Sequence, residues 1–358
     1  AGGAILGQDA ASVAAGRSAS RPAVMQLAAH AGYLAAVAAA LWLGRRAPQA
    51  GQGAAPTGAE GAGRGPPADA GACGCEVRTV RYGDPGAEKA LLEHVARNVP
   101  LRIAEVPPGA APNLADAALR EAAGGRQVEL RALGARGRVE KRAPRRQASL
   151  GEVLADGGEL AGDWYAAQLS VPKQLPELGS LGAAAPGPGS GLGGSWAAQT
   201  GEPLPASPYL YYYGGSAEAE AGAAGPALYL HYDAFENLVQ VLDGWKEFWL
   251  YDPFQAASLL YGSNREHGNA SPVDVDDPNA TEAFPLFRFA EPRRCRVLAG
   301  EWLYVPLYWW HRVRSGRGRT VSLAHFHRGD REKKGFFEKI MCGYSMRPAA
   351  FECGKSKQ

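Results

Sequence analysis

The sequence predicts a mainly β domain with flanking helices, carried behind a long Ala/Gly-rich N-terminal segment. Three observations point there. Runs rich in aromatic and β-branched residues recur between turn-forming residues, at 209–213, 230–242, 245–251, 302–305 and 319–326. Apolar residues at helical spacing are confined to short stretches, chiefly 87–98 and 114–123. Glycine and proline, 47 and 26 of the 358 residues, are concentrated in tracts between these runs.

In chain order, residues 1–75 form an Ala/Gly-rich segment. Between residues 1 and 58 its only acidic residue is Asp9, while Arg17, Arg21, Arg45 and Arg46 are basic. The uncharged stretch from Ala23 to Gly44 is just long enough to span a bilayer but is mostly alanine. It reads as a membrane anchor, an organelle-targeting segment or a plain tail. Arginines flank both ends, so they give no orientation. A Gly/Ala/Pro linker follows.

The ordered domain is expected over residues 76–330. Residues 77–82 read as a strand. Asp84-Pro85 opens the 87–98 helix, since Asp caps well and Pro suits the first turn. Strands are expected at 101–106, 127–133 and 163–169. Ser149 with Glu152 three residues on marks a capped helix start. The basic run 136–146 reads as a solvated loop. The Gly/Ala-rich stretches 178–205 and 214–227 read as surface insertions between strands. Residues 331–358 read as a charged tail, with a short helix at 333–341.

Charge is nearly balanced, 38 basic against 36 acidic residues, which gives no general pull toward nucleic acid or anionic membranes. The five cysteines are scattered and offer no four-cysteine zinc pattern, so they read as free thiols. Asn269-Ala-Ser and Asn279-Ala-Thr match glycosylation sequons, the first followed by Pro272. They carry weight only in a chain that enters a secretory route.

The chemistry centres on residues 230–253, LHYDAFENLVQVLDGWKEFWLYDP. His231 and Asp233, two apart on an extended strand, project to one face. An imidazole and a carboxylate together make two corners of a metal site, and two histidines with one carboxylate suit non-haem Fe(II). His311, closing GEWLYVPLYWWH, is the candidate third ligand and is expected just past the end of a strand at 302–305. Asp243-Gly244 signals a hairpin between 238–242 and 245–251. In that register, and if the strand runs unbroken from 231, Lys246 points to the side of His231 and Asp233. A lysine on an inward face needs an anionic partner.

These motifs resemble the JmjC group of cupin-fold 2-oxoglutarate oxygenases. The branch most similar is the small protein hydroxylases that include the asparaginyl hydroxylase of the hypoxia-inducible factor. The resemblance rests on His231-Tyr-Asp233, Asn237, Gly244-Trp-Lys246, the following Leu-Tyr-Asp-Pro, and Tyr-Trp-Trp-His311. It extends upstream through Tyr82-Gly-Asp-Pro, Val99-Pro-Leu-Arg and Tyr165-Ala-Ala-Gln168, covering about residues 78–329. It implies a double-stranded β-helix, a jelly roll of two antiparallel sheets with helices outside. It also implies Fe(II) held by His231, Asp233 and His311. The cosubstrate 2-oxoglutarate would be held by Lys246, Tyr165 and Asn237, with dioxygen as co-reactant and a protein as substrate.

The sequence departs from that branch at Leu228, where it usually has Thr or Ser, at Ala324, where the hydroxylase has Asn, and at Glu301, where Asp is common. Leu228 and Ala324 keep a catalytically silent binding protein open beside hydroxylation and N-demethylation. Hydroxylation is favoured by the branch match and by the lack of a chromatin-reading domain, a zinc module or a general positive charge. His325 and His327, also two apart, are expected to face out of the late strand or to line the pocket. His94 is expected on a helix surface, His267 in a polar loop, and Trp309 and Trp310 in packing roles.

Overall fold

The computed structural model describes residues 75–107, 112, 114–139, 142–155, 160, 162–182, 191–215, 225–256 and 269–344. Ala23, Gly44, His30 and His267 lie outside these, as do most of the two Gly/Ala-rich tracts. Two sheets carry the fold. The nine-stranded sheet runs β1 (Thr79–Arg81), β2 (Leu101–Ala104), β13 (Glu301–Val305), β10 (Glu236–Asp243), β15 (Thr320–His327), β7 (Tyr209–Tyr213), β6 (Trp164–Ser170), β3 (Gln127–Ala132) and β5 (Arg145–Ser149). The second runs β12 (Arg293–Leu298), β11 (Trp245–Tyr251), β14 (Trp310–Ser315), β8 (Ala227–Leu228) and β4 (Arg138–Val139), and β9 (His231–Tyr232) pairs with β14.

The sheets pack face to face. Val239, Val241 and Leu303 of the first meet Phe248, Leu250 and Val313 of the second in one apolar cluster. The outer face of the nine-stranded sheet is covered by helices α1 (Ala87–Arg97) and α3 (Leu192–Thr200), whose Leu91 and Trp196 pack on Leu238 and Trp302. A shorter helix, α2 (Asp116–Ala123), joins a third cluster with Val128 and Leu323. Strand β10 is therefore buried on both faces from Glu236 to Val241, which is why its sequence lacks polar alternation. This is the mainly β jelly roll that the resemblance implies.

The structure corrects several expectations. No hairpin forms between β10 and β11: β10 pairs with β13 and β15, and β11 pairs with β12 and β14. Gly244 is a corner at which the chain changes sheets. It has φ +67°, and a Cβ there would lie 2.4 Å from the Arg319 carbonyl oxygen. An Asp-Gly pair suits either a hairpin or such a corner, and tertiary packing decides between them.

Within 178–205, read as a surface insertion, Trp196 is fully buried. Truncating such a residue typically costs about 3–5 kcal/mol. Low-complexity composition hid the Leu192/Trp196 pair, one helical turn apart, that seats α3. The basic run 136–146 is not simply a loop, since Arg138–Val139 pairs with β8 and Arg145 opens a strand paired with β3. Cys75 and Cys295 are joined by a disulfide, so not all five cysteines are free thiols.

The charged tail is also recast. Residues Arg331–Tyr344 form a helix, α4, whose Phe337, Ile340 and Met341 pack against Tyr308 and Trp310. Its Lys333 ammonium pairs with the Glu236 carboxylate, which is entirely buried and also accepts from Tyr304 Oη at 2.7 Å and from the Leu307 amide at 3.2 Å. Removing one member of a buried pair leaves an uncompensated charge and typically costs about 3–5 kcal/mol. Lys333→Ala should therefore lower the denaturation free energy by about 3 kcal/mol, and adding Glu236→Gln should recover most of it. If Lys333→Ala behaves like the exposed control Lys173→Ala in chemical denaturation, α4 is not held by this pair.

Candidate metal centre

Strand β9 is only two residues long. His231 sits on it and is paired across the ladder with His311, the second residue of β14. The sequence expectation put His311 beyond a strand end; it lies inside a strand that the reading missed. The chain breaks from regular pairing at Asp233, whose carbonyl accepts from the Tyr308 amide at 2.7 Å. That bend turns the carboxylate toward the two imidazoles. His311 Nε2 lies 3.7 Å from Asp233 Oδ2, the two rings are 4.3 Å apart, and the three ligand atoms fall within 4.8 Å of one another.

Both imidazoles are held in the same tautomer. His231 Nδ1 donates to the Tyr229 carbonyl at 2.8 Å, and His311 Nδ1 donates to the Trp309 carbonyl at 2.9 Å. Each therefore keeps Nε2 as a lone-pair donor, the arrangement that orients metal-ligating histidines. Burial, with the neighbouring His231 second, pushes His311 down to about 4, so it is neutral at physiological pH. Two imidazoles and one carboxylate on one side of a point fit a divalent metal with open positions opposite.

Beside this corner a narrow cavity runs between the sheets, lined by Asn237, Lys246, Leu228, Ser322 and Ala324 among others. Lys246 enters it from the facing sheet, so the parity expected from an unbroken strand does not apply. The strand is interrupted after Tyr232, and the lysine still reaches the same cavity. Its ammonium donates to Tyr165 Oη and to Ser315 Oγ, both at 3.1 Å, and lies 5.3 Å from the centre of the Tyr211 ring. Among the described residues it makes no ion pair. Asn237 Oδ1 and Ser322 Oγ are buried without hydrogen-bond partners. A buried cation with orphaned polar atoms beside it fits an anionic ligand.

Leu228 and Ala324 both line this cavity, so the two departures sit where they change its chemistry. Ser315 and Ser322 were missed by the sequence reading. The signal for Ser315 was available, because His311, Val313 and Ser315 alternate along one strand face. His325 and His327 lie on the opposite face of β15. His325 pairs with Leu238 and is fully buried, while His327 lies with its ring centre 4.3 Å from that of Trp196, tilted to it, and donates to the Gly201 carbonyl. Neither joins the metal corner. His94, expected at a helix surface, is buried, with Nδ1 against the Val99 and Pro100 carbonyls. Trp309 and Trp310 are buried in packing roles.

The cupin-like domain family matches residues 212–333, a span that holds His231, Asp233, His311, Lys246 and Asn237. The Arabidopsis thaliana protein named lysine-specific demethylase JMJ30 is 37% identical over 119 residues, 32% of this chain and 27% of that protein. The human bifunctional peptidase and (3S)-lysyl hydroxylase JMJD7 is 31% identical over 116 residues, 27% of this chain and 37% of that protein. The Gallus gallus tRNA wybutosine-synthesizing protein 5 is 33% identical over 91 residues, 25% of this chain and 27% of that protein.

Residues 212–333 thus carry a cupin-like domain, and this chain is similar over spans of that kind to proteins named as JmjC enzymes. The matched regions cover between 27% and 37% of the length of these curated relatives. Among the described residues, no helix is long and apolar enough to cross a membrane.

Burial pushes the Lys246 ammonium of this cavity down to about 7 from an ordinary value near 10.5. The unfolded chain therefore holds a proton between these values that the folded chain has released. Stability should rise with pH across that window and be lowest below it. In protein stripped of metal and organic acids, Lys246→Met should remove this rise, measured by chemical denaturation from about pH 7 to 10. Equal pH slopes for parent and variant would show that the lysine is solvated.

Proposed function

We propose that this JmjC domain is an Fe(II)- and 2-oxoglutarate-dependent oxygenase that hydroxylates a protein side chain. The observation that carries this is the His231, Asp233 and His311 corner, with both Nε2 atoms free, opening onto a cavity whose buried lysine lacks an anion. His231, Asp233 and His311 would hold the metal. Lys246, Tyr165 and Ser315 would bind the far carboxylate of 2-oxoglutarate, and Asn237 and Ser322 offer polar contacts along the way. When bound, the metal would supply an oxidation in which dioxygen converts 2-oxoglutarate to succinate and carbon dioxide, one oxygen atom entering succinate and the other the substrate C–H bond.

The chain's own residues act by placement. Carbonyl hydrogen bonds hold both imidazoles in the ligating tautomer, and the apolar walls of Phe248, Val313 and Phe326 keep water from the cavity. Tyr165 and Ser315 fix the Lys246 ammonium before any ligand arrives, which lowers the ordering cost of binding. Leu228 removes a hydroxyl that the resembling branch uses, and Ser315, on the adjacent strand face, supplies one. This reading absorbs the departure that favours a silent protein.

The choice of hydroxylation over N-demethylation rests on similarity to the small hydroxylase branch and on a relative named as a lysyl hydroxylase. Purified protein with Fe(II) and 2-oxoglutarate should form succinate against a panel of proteome-derived peptides and add one oxygen to a product. Stoichiometric formaldehyde from methylated peptides, with no oxygenated product, would identify a demethylase instead. His231→Ala, Asp233→Ala and His311→Ala should each lose Mn(II) binding, read by electron paramagnetic resonance, while remaining folded. Equal metal content in these variants and the parent would overturn the ligand assignment.

A second test addresses the anion end. Hydrogen bonds to charged groups are worth about 1.5–3 kcal/mol. Ser315→Ala should therefore weaken 2-oxoglutarate binding to the Mn(II)-loaded protein by roughly tenfold or more. Adding Leu228→Thr should restore most of it. Calorimetry reads both, and an unchanged affinity in Ser315→Ala would place the carboxylate elsewhere.

A further inference from the structure

Two features of this domain have no part in the metal chemistry: the Cys75–Cys295 disulfide and the sequon at Asn279. The disulfide joins residues 220 apart and ties the start of the described domain to β12, the edge strand of the second sheet. It sits in an organised seam. The Glu76 amide donates to the Arg294 carbonyl at 2.7 Å, the Arg294 amide donates to the Glu76 carboxylate at 2.8 Å, and Val77 and Cys295 are buried in the core between the sheets. Disulfides of this structural kind persist in oxidising compartments and are rare where thiols are kept reduced.

The two sequons differ in the folded chain. Asn269 is half-buried and donates Nδ2 to the Tyr232 carbonyl at 2.6 Å. Its partner Ser271 is buried, with Oγ accepting from the Val273 amide, and Pro272 follows. Asn279 is exposed at the turn before Ala280–Ala283, makes no side-chain cap bond, and its partner Thr281 is exposed as well. Only the second site leaves room for a glycan without breaking a contact of the fold.

We propose that this domain matures in an oxidising, glycosylating compartment, with Cys75 joined to Cys295 and Asn279 carrying an N-linked glycan. In the first step the two thiols give two electrons and two protons to a disulfide-bearing oxidant, which becomes a dithiol. In the second, Asn279 Nδ2 bonds to the anomeric carbon of a sugar as the bond from that carbon to a lipid diphosphate breaks. The amide loses one proton and the lipid diphosphate leaves.

The test uses protein isolated from its own cells, alkylated without reductant and digested. Mass spectrometry should find Cys75 and Cys295 in one linked peptide pair. Release of glycans by peptide N-glycosidase in heavy-oxygen water should convert Asn279 to labelled Asp. Expressed in the same cells, Asn279→Gln and Thr281→Ala should each lose the electrophoretic shift caused by the glycosidase, while Asn269→Gln should keep it. Thr281→Ala retains the asparagine, so loss in both variants separates the sequon from a folding defect. Alkylated Cys75 and Cys295, or an unmodified Asn279 in the native protein, would overturn the proposal. Neither outcome bears on the metal centre.

Discussion

A chain that builds two facing sheets must cross between them, and here it crosses on both sides of β10. The first crossing is the bend at Asp233 and the two residues after it; the second is Gly244. The bend separates His231, on the second sheet, from Asn237, on the first, so that both line the same cavity from opposite walls. The corner at Gly244 sends Lys246 into the cavity from the far side. The placement of these side chains thus depends on the two crossings more than on any strand. The bend is held by the Tyr308 amide on the Asp233 carbonyl, and the corner by a backbone with no space for a Cβ.

Charge is handled differently at the two ends of β10. At its start Glu236 is buried but answered by Lys333, Tyr304 and the Leu307 amide. On the facing strand Lys246 is also buried and, among the described residues, is answered by hydroxyls and aromatic faces and by no carboxylate. A folded protein tolerates the second arrangement at a cost in stability, and its natural relief is an anion that binds. That contrast within one core is what supports the proposal that the lysine binds a ligand, while the glutamate is held within the fold. Perturbed ionisable groups in a cleft are a recognised sign of function, and this one has the geometry to match.

Much of this was legible in the sequence, and the failures have physical causes. Strand and helix runs were readable wherever apolar periodicity was strong, as at 209–213, and Ser149 with Glu152 does form a capping box. His231, Asp233, His311, Lys246 and Asn237 were singled out, and the structure brings them around one cavity, while Tyr165, also singled out, accepts from the Lys246 ammonium. The routes were misread in part. An Asp-Gly pair cannot say whether the following strand returns beside its predecessor or crosses to another sheet. Short strands such as β8 and β9 carry too few residues for periodicity to show. Trp196 and Phe337 anchor segments whose average composition resembles a linker or a tail, because a single large side chain can seat a helix without altering composition. Disulfide pairing over 220 residues is invisible without the fold.

The cupin-like match begins at residue 212, yet Tyr165, which accepts from the Lys246 ammonium, lies upstream of it. Tyr165 stands on β6, which reaches the rest of the sheet through β7, with Ala166 opposite Tyr212 and Leu169 opposite Leu210. The ladder shifts register between those pairs, and Gln168 there adopts φ 58°, a left-handed conformation that is uncommon for a residue with a side chain. Such outliers persist only where surrounding structure over-determines them. The shift lies three residues past Tyr165, and Gln168 Oε1 accepts from the Arg131 guanidinium on β3 at 3.3 Å. Residues upstream of the family match therefore fix the tyrosine that meets Lys246. A fragment cut at residue 212 would retain His231, Asp233 and His311 but lose the Tyr165 hydroxyl that meets Lys246. The arrangement around Lys246 therefore needs both sheets of the domain, including the strand that precedes the match.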